Sequence, residues 1–209
     1  MPLKKKIEYF VDYYLFQTLV CVGILLAAGF LLWHFWKPKE ETILYVAVID
    51  ESLDEEGRIR LQEQLAEELG AGKHQQVLID DSFYMKDDAL EKLEVYLHNG
   101  QIDVVIANRD TFETLAGLGF FYDVRELTGD TYQERWCQAR GYKDTDEITF
   151  EDVETGQGEE CPYGVDISGS AMDSLMQYIE EPVLAFAQGS TNQENAQCFL
   201  DFIIKASVY

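Results

Sequence analysis

The sequence predicts an α/β protein: a single three-layer domain with a mostly parallel sheet of about five strands, preceded by one transmembrane helix. Three observations carry this expectation. From residue 42 onward, short continuous apolar runs alternate with amphipathic stretches, the rhythm of strands joined by crossover helices. An uncharged apolar run at 14–36 stands in front of them. Finally, 47% of the residues are hydrophobic and 13% aromatic, enough to fill a core and too many for a disordered chain.

The run at 14–36 opens with Tyr14 and closes with Trp36, and only Gln17, Thr18 and His34 interrupt its apolar character. About 20 such residues, rising roughly 1.5 Å each, match a hydrocarbon core of about 30 Å. Tyr9, Phe10, Tyr13 and Tyr14 cluster at one end, and Trp33, Phe35 and Trp36 at the other, as in a two-sided aromatic belt. Lys4, Lys5 and Lys6 precede the run; Lys37 and Lys39 follow it. That excess predicts a single-pass plasma-membrane protein with a cytoplasmic N-terminus and an extracellular C-terminal domain. A cleaved signal peptide would need small residues where aromatics stand. Val20 likewise occupies the place where a lipobox wants a small residue before Cys21. The expected organisation is a short basic tail at 1–13, an anchor at 14–36, a linker at 37–41 and the α/β domain at 42–209.

Within the domain the elements follow in order. Residues 43–49 (ILYVAVI) form a continuous apolar run of the kind buried on both faces of a parallel sheet. A helix is expected at 53–69, with Ile59, Leu61, Leu65, Ala66 and Leu69 on its buried face and Gly70 ending it. A strand at 76–80 and a helix at 87–98 come next, the latter with Leu90, Leu93 and Leu97 on one side. A third strand spans 102–107 and a third helix 110–118. The rhythm then breaks. Residues 128–160 read as an irregular polar insertion with one strand at 147–153. Order resumes with strands at 163–167 and 182–187, a short helix near 170–178, and a last helix at 192–206. Its apolar face is Ala196, Phe199, Leu200, Ile203 and Ile204.

Charge excludes several functions. Residues 40–209 hold 11 Lys or Arg against 37 Asp or Glu, a net charge of −26. Such a surface repels nucleic acid and anionic headgroups and tolerates cations or basic peptides. No phosphate-binding Gly-rich loop is present, so no nucleotide cofactor is expected. His74 and His98 lack ligand spacing, and the acidic stretch 144–152 lacks the register of an EF-hand, so no metal is expected. Neither a nucleophile elbow nor a Cys/His pair appears, so no catalytic residue is assigned and the chain reads as a non-enzyme.

Two stretches carry a family resemblance. The run IDVVIANRDTFETLAGLGFFYDV at 102–124 puts Asn108 after a strand, a helix at 111–118, Gly119, and a short apolar segment ending in Asp123. The run PVLAFAQGSTNQENAQCFLDFII at 182–204 puts a return strand before a helix opening with Asn192, Glu194 and Ala196. Both resemble extracellular solute-binding proteins of the type 2 periplasmic-binding-protein superfamily. The basic, aromatic N-terminus is similar to that of membrane-tethered relatives from Gram-positive bacteria. The resemblance covers roughly 42–127 and 163–205. It implies a lobe that binds a ligand against a second lobe. Yet only about sixty residues separate Asp123 from Pro182, too few for that second lobe, so the chain resembles one lobe closed by a stub.

Ligands of open α/β sheets meet the carboxyl ends of the strands. That geometry selects Asp50, Glu51 and Ser52 after the first strand, Ser82 and Tyr84 after the second, and Asn108, Arg109 and Asp110 after the third. Arg109 stands out in a domain so poor in cations; the alternative is that all of these residues cap helices and make turns. Cys137 and Cys161 flank the insertion and are a candidate disulfide, although the number of external cysteines is odd; Cys198 reads as a buried thiol. The expected function is a membrane-tethered extracellular recognition domain, serving transport or a surface assembly, that engages a small solute or a protein partner. The alternative is a structural protein–protein interaction subunit with no small-molecule ligand.

Overall fold

The computed structural model describes residues 3–36, 40–85, 89–142 and 156–206. The chain divides into two compact units, Met1–Lys39 and Glu40–Tyr209. The first consists of helix α1 (Leu3–Trp36), 34 residues long. The described side chains of α1 are those of residues 16 and 18–33, and all of them are exposed. Among the described residues no helix is long and apolar enough to cross a membrane. The uncharged run of 14–36 reaches beyond those side chains at both ends, and the expected span stays a proposal.

The second unit is an α/β domain whose elements run β1 (Glu41–Ile49), α2 (Glu55–Glu68), β2 (Gln75–Phe83), α3 (Ala89–His98), β3 (Val104–Ala107), α4 (Arg109–Gly117), α5 (Val124–Thr128), β4 (Trp136–Arg140), β5 (Glu160–Asp166), β6 (Val183–Phe186) and α6 (Gln193–Ala206). The six strands form one sheet in the order β2-β1-β3-β6-β5-β4. Strand parity builds two cores. Leu44, Val46 and Val48 of β1 and Val104 and Ile106 of β3 pack with Leu61 and Leu65 of α2 and Phe199, Leu200 and Ile203 of α6. Their neighbours Ala47, Ile49, Val105 and Ala107 pack with Leu93 and Leu97 of α3 and Phe112 and Leu115 of α4. Helices on both faces make the three layers.

Helix starts follow from local chemistry. The side chain of Asp54 accepts the N–H of Gly57 at 2.7 Å, which fixes the first turn of α2. Asn108 does the same for α4 by accepting the N–H of Thr111 at 2.9 Å. Helix side chains also cover the outermost strands. Gln62 and Arg58 of α2 donate to the carbonyls of Val77 (2.8 Å) and Ile79 (3.3 Å) on β2. On the far side Arg109 donates to the carbonyl of Gln138 on β4 at 3.0 Å. Such cover blunts edges that would otherwise template further pairing.

Several expectations need correction. The sheet is mixed, not mostly parallel: β1 pairs in parallel with β2 and β3, but β3–β6, β6–β5 and β5–β4 are antiparallel. A parallel return from β5 would need a crossover of a dozen or more residues, usually a helix. Residues 167–182 supply only a 3-10 turn, Asp173–Leu175, in place of the helix expected near 170–178. The insertion at 128–160 is partly regular, because Trp136–Arg140 becomes the sixth strand by pairing with β5. The strand expected at 147–153 lies outside the described residues. Ile59 is 45% exposed, so the buried stripe of α2 excludes it.

Candidate functional site

At the carboxyl end of the sheet, β1 leads to α2 on one face while β3 leads to α4 on the other. This divergence opens a crevice between two strand ends, where ligands of open α/β sheets sit. Here the chain's own residues 167–182, between β5 and β6, lie across that edge, since Asp166 pairs with Val183 and Val183 with Ala107. Several contacts hold this strap down. Met172 is fully buried in the first core, and Leu175 packs against Gly57, where any side chain would collide with it. Arg135 donates to the carbonyls of Asp166 (3.1 Å) and Ser168 (3.2 Å) at the start of the strap.

Glu51 supplies a further contact. The residue is 1% exposed, and its carboxylate accepts the backbone N–H groups of Tyr178 (2.8 Å), Ile179 (2.9 Å) and Ser52 (2.8 Å). A buried carboxylate is costly unless its oxygens are satisfied, and three backbone donors satisfy this one. Glu51 therefore latches the strap over the end of β1. Its neighbour Asp50 adopts φ 56°, a left-handed conformation that aspartate tolerates, and accepts the N–H of Met85 at 2.9 Å. Glu181, at the far end of the strap, also has positive φ, 54°, where a longer side chain is less easily accommodated.

Of the eight residues expected at the site, Glu51 makes the latch and the other seven fall into two groups. Asn108, Arg109 and Asp110 line one depression of about 430 Å³ together with Tyr178, Glu180 and Glu181. Asp50, Ser52, Ser82 and Tyr84 lie outside that lining, along the ends of β1 and β2. Ser82 donates its N–H to Asp80 at 2.9 Å, a local turn, while Ser52 and Tyr84 are exposed. Arg109 is engaged within the chain. Its Nε donates to Glu113 at 2.7 Å, and that carboxylate holds the guanidinium above its ordinary pKa. Glu113 stands one helical turn further along α4, the ordinary spacing for such a pair.

The cysteines also differ from expectation. Cys137 and Cys161 are free thiols: on β4 and β5 Cys137 faces Gly164, and Cys161 faces Ala139. A bulge between Cys137 and Gln138 leaves the two cysteines three positions out of register, so neither faces the other across the strand pair. Cys198 is exposed, not buried, because it sits beside the stripe formed by Ala196, Phe199, Leu200 and Ile203.

The sequence places Glu51 at a strand end with its neighbours and signals no role for it. Its partners stand 127 and 128 positions away, and no local pattern signals them. No family model, curated protein or solved structure matches the chain.

Proposed function

We propose that the chain is a membrane-tethered, non-catalytic recognition domain, built like a single solute-binding lobe and displayed outside the cell, that engages a protein partner instead of closing on a solute. The observation that carries this reading is the Glu51 latch: residues 167–182 are held across the strand ends where a lobe of this kind would hold its ligand. The return of β6 between β3 and β5 supports the resemblance to one lobe, and the strap stands where the chain would leave for a second. The tether rests on the uncharged run of 14–36, which lies inside one continuous helix with apolar side chains such as Phe16, Leu25 and Leu32 exposed.

Impermeant thiol labelling of intact cells tests the reading. In a background with the native cysteines replaced, Gln157→Cys should be modified and Pro2→Cys protected. Labelling of Pro2→Cys alone would overturn the external placement. The solute-binding alternative is tested on the same protein by thermal unfolding against sugars, amino acids and short peptides, because a ligand of the native state raises the midpoint. A flat panel is expected.

A further inference from the structure

A second depression, of about 680 Å³, lies at the opposite, amino-terminal end of the parallel strands. Its lining residues include Tyr122, Tyr142, Tyr163, Asp123, Glu126 and Cys161. These residues come from the loop after α4, the start of α5, the end of β4 and the strand β5, so the fold assembles them from distant parts of the sequence.

Two glycines set the tyrosines. The Tyr163 hydroxyl occupies the space that a side chain at Gly141 would need. Gly119, at φ 80°, lets Tyr142 approach so closely that its Cβ lies 3.1 Å from where a side chain at 119 would begin. Burial, then the neighbouring Cys161, Asp123 and Glu159, push the Tyr163 hydroxyl above its ordinary pKa, so the ring stays neutral. Asp123 is already paired with the guanidinium of Arg125, whose Nε lies 2.9 and 3.0 Å from its two oxygens. Glu126 is exposed and carries no ion pair among the described residues. The depression therefore brings together three tyrosines, a glutamate without an ion pair among the described residues, and a cysteine, inside a domain of net charge −26.

Those features select a ligand class. An anion is repelled by the domain's field. A hard metal ion wants six or more oxygen ligands, and no group of three or more His, Cys, Asp or Glu able to hold a metal occurs among the described residues. Aromatic faces beside a carboxylate favour an organic cation, by cation–π attraction and by charge. We propose that this depression binds an alkylammonium or guanidinium group, held against Tyr142 and Tyr163 with Glu126 as counter-charge. A free amine and a basic side chain of a polypeptide present the same chemistry to it.

The test follows ring resonances of the full chain, labelled at tyrosine and held in lipid nanodiscs. Butylammonium should shift the Tyr142 and Tyr163 signals saturably, and uncharged 1-butanol should not. Tyr142→Ala should weaken binding about two- to fivefold, the size of an exposed cation–π contact. Glu126→Gln should weaken it up to about fivefold and blunt its salt dependence. Both residues are exposed, and an unchanged unfolding midpoint in each variant will separate lost binding from lost fold. A Gly-Gly-Lys-Gly-Gly peptide that binds more tightly than butylammonium would assign the cation to a polypeptide; weaker binding would assign it to a free amine. Equal responses to butylammonium and 1-butanol, no response, or unchanged affinity in both variants would overturn the proposal.

Discussion

The buried carboxylate of Glu51 accepts the backbone N–H of Tyr178 at 2.8 Å, joining residues 127 positions apart. The same carboxylate takes the next N–H, that of Ile179, so one side chain closes the end of the parallel half of the sheet. Glu51→Gln keeps the shape but replaces one acceptor oxygen with an amide that faces a donor. Hydrogen bonds to charged groups contribute about 1.5–3 kcal/mol, and a loss of that size is expected in denaturant unfolding. A change under about 0.5 kcal/mol would show that the latch does not hold the strap.

The second prediction separates the faces of α6. Phe199 is fully buried in the first core, and Phe199→Ala should cost about 3–5 kcal/mol through lost burial and the cavity left behind. Glu194, in the exposed first turn of the same helix, compensates the helix dipole; Glu194→Ala should cost under about 1 kcal/mol. Equal costs in equilibrium unfolding would mean that the helix packs by another face.

What the sequence made legible follows from burial. The runs that became β1, β3 and β6 are continuously apolar because both faces of the sheet are covered, and that pattern reads directly. Strand direction does not read, since an apolar run is the same in either sense, and β6 proved antiparallel. Strand β4 stayed hidden because WCQAR has two exposed polar residues and is held as a strand by β5. At the candidate site, the turn and cap residues were recognisable from their position after strands. Their partners were not: Arg109 pairs with Glu113 and Gln138, and Glu51 with a segment near the other end of the chain.

Thiol reactivity provides a third prediction. Burial pushes the Cys137 thiol above its ordinary pKa, whereas Cys198 is exposed and Cys161 half-buried. Thiolate is the reacting form, so alkylation by iodoacetamide should proceed at Cys198 first and reach Cys137 last. Mass spectrometry of partly alkylated protein gives the order. Rapid modification of Cys137 in the native state would place it at the surface.

Acid dependence is the fourth. Burial raises the Asp80 carboxyl, but hydrogen bonds from Ser82 and Tyr45 and the charge of Lys92 outweigh it and leave the group below its ordinary value. The hydrogen-bonded Arg125 guanidinium lowers Asp123 in the same direction. Folding therefore favours both ionised forms: their contribution is present above the unfolded value of about 3.9 and is lost as pH falls through the lower folded values. The unfolding midpoint should drop below about pH 4, and Asp80→Asn should reduce that drop. An acid response unchanged by Asp80→Asn would mean that its hydrogen bonds do not distinguish the folded state.

The central claim is that the chain itself occupies the crevice at the carboxyl end of the sheet. Amide hydrogen exchange of the full chain in lipid nanodiscs measures this at Tyr178 and Ile179. Tyr178 as a residue is 73% exposed, so protection of its amide would come from Glu51 and not from general burial. Exchange at both amides should be at least about tenfold slower than for open backbone, and Glu51→Gln should restore the fast rate. Open-backbone rates in the unmodified protein would contradict the latch and return the crevice to an external ligand.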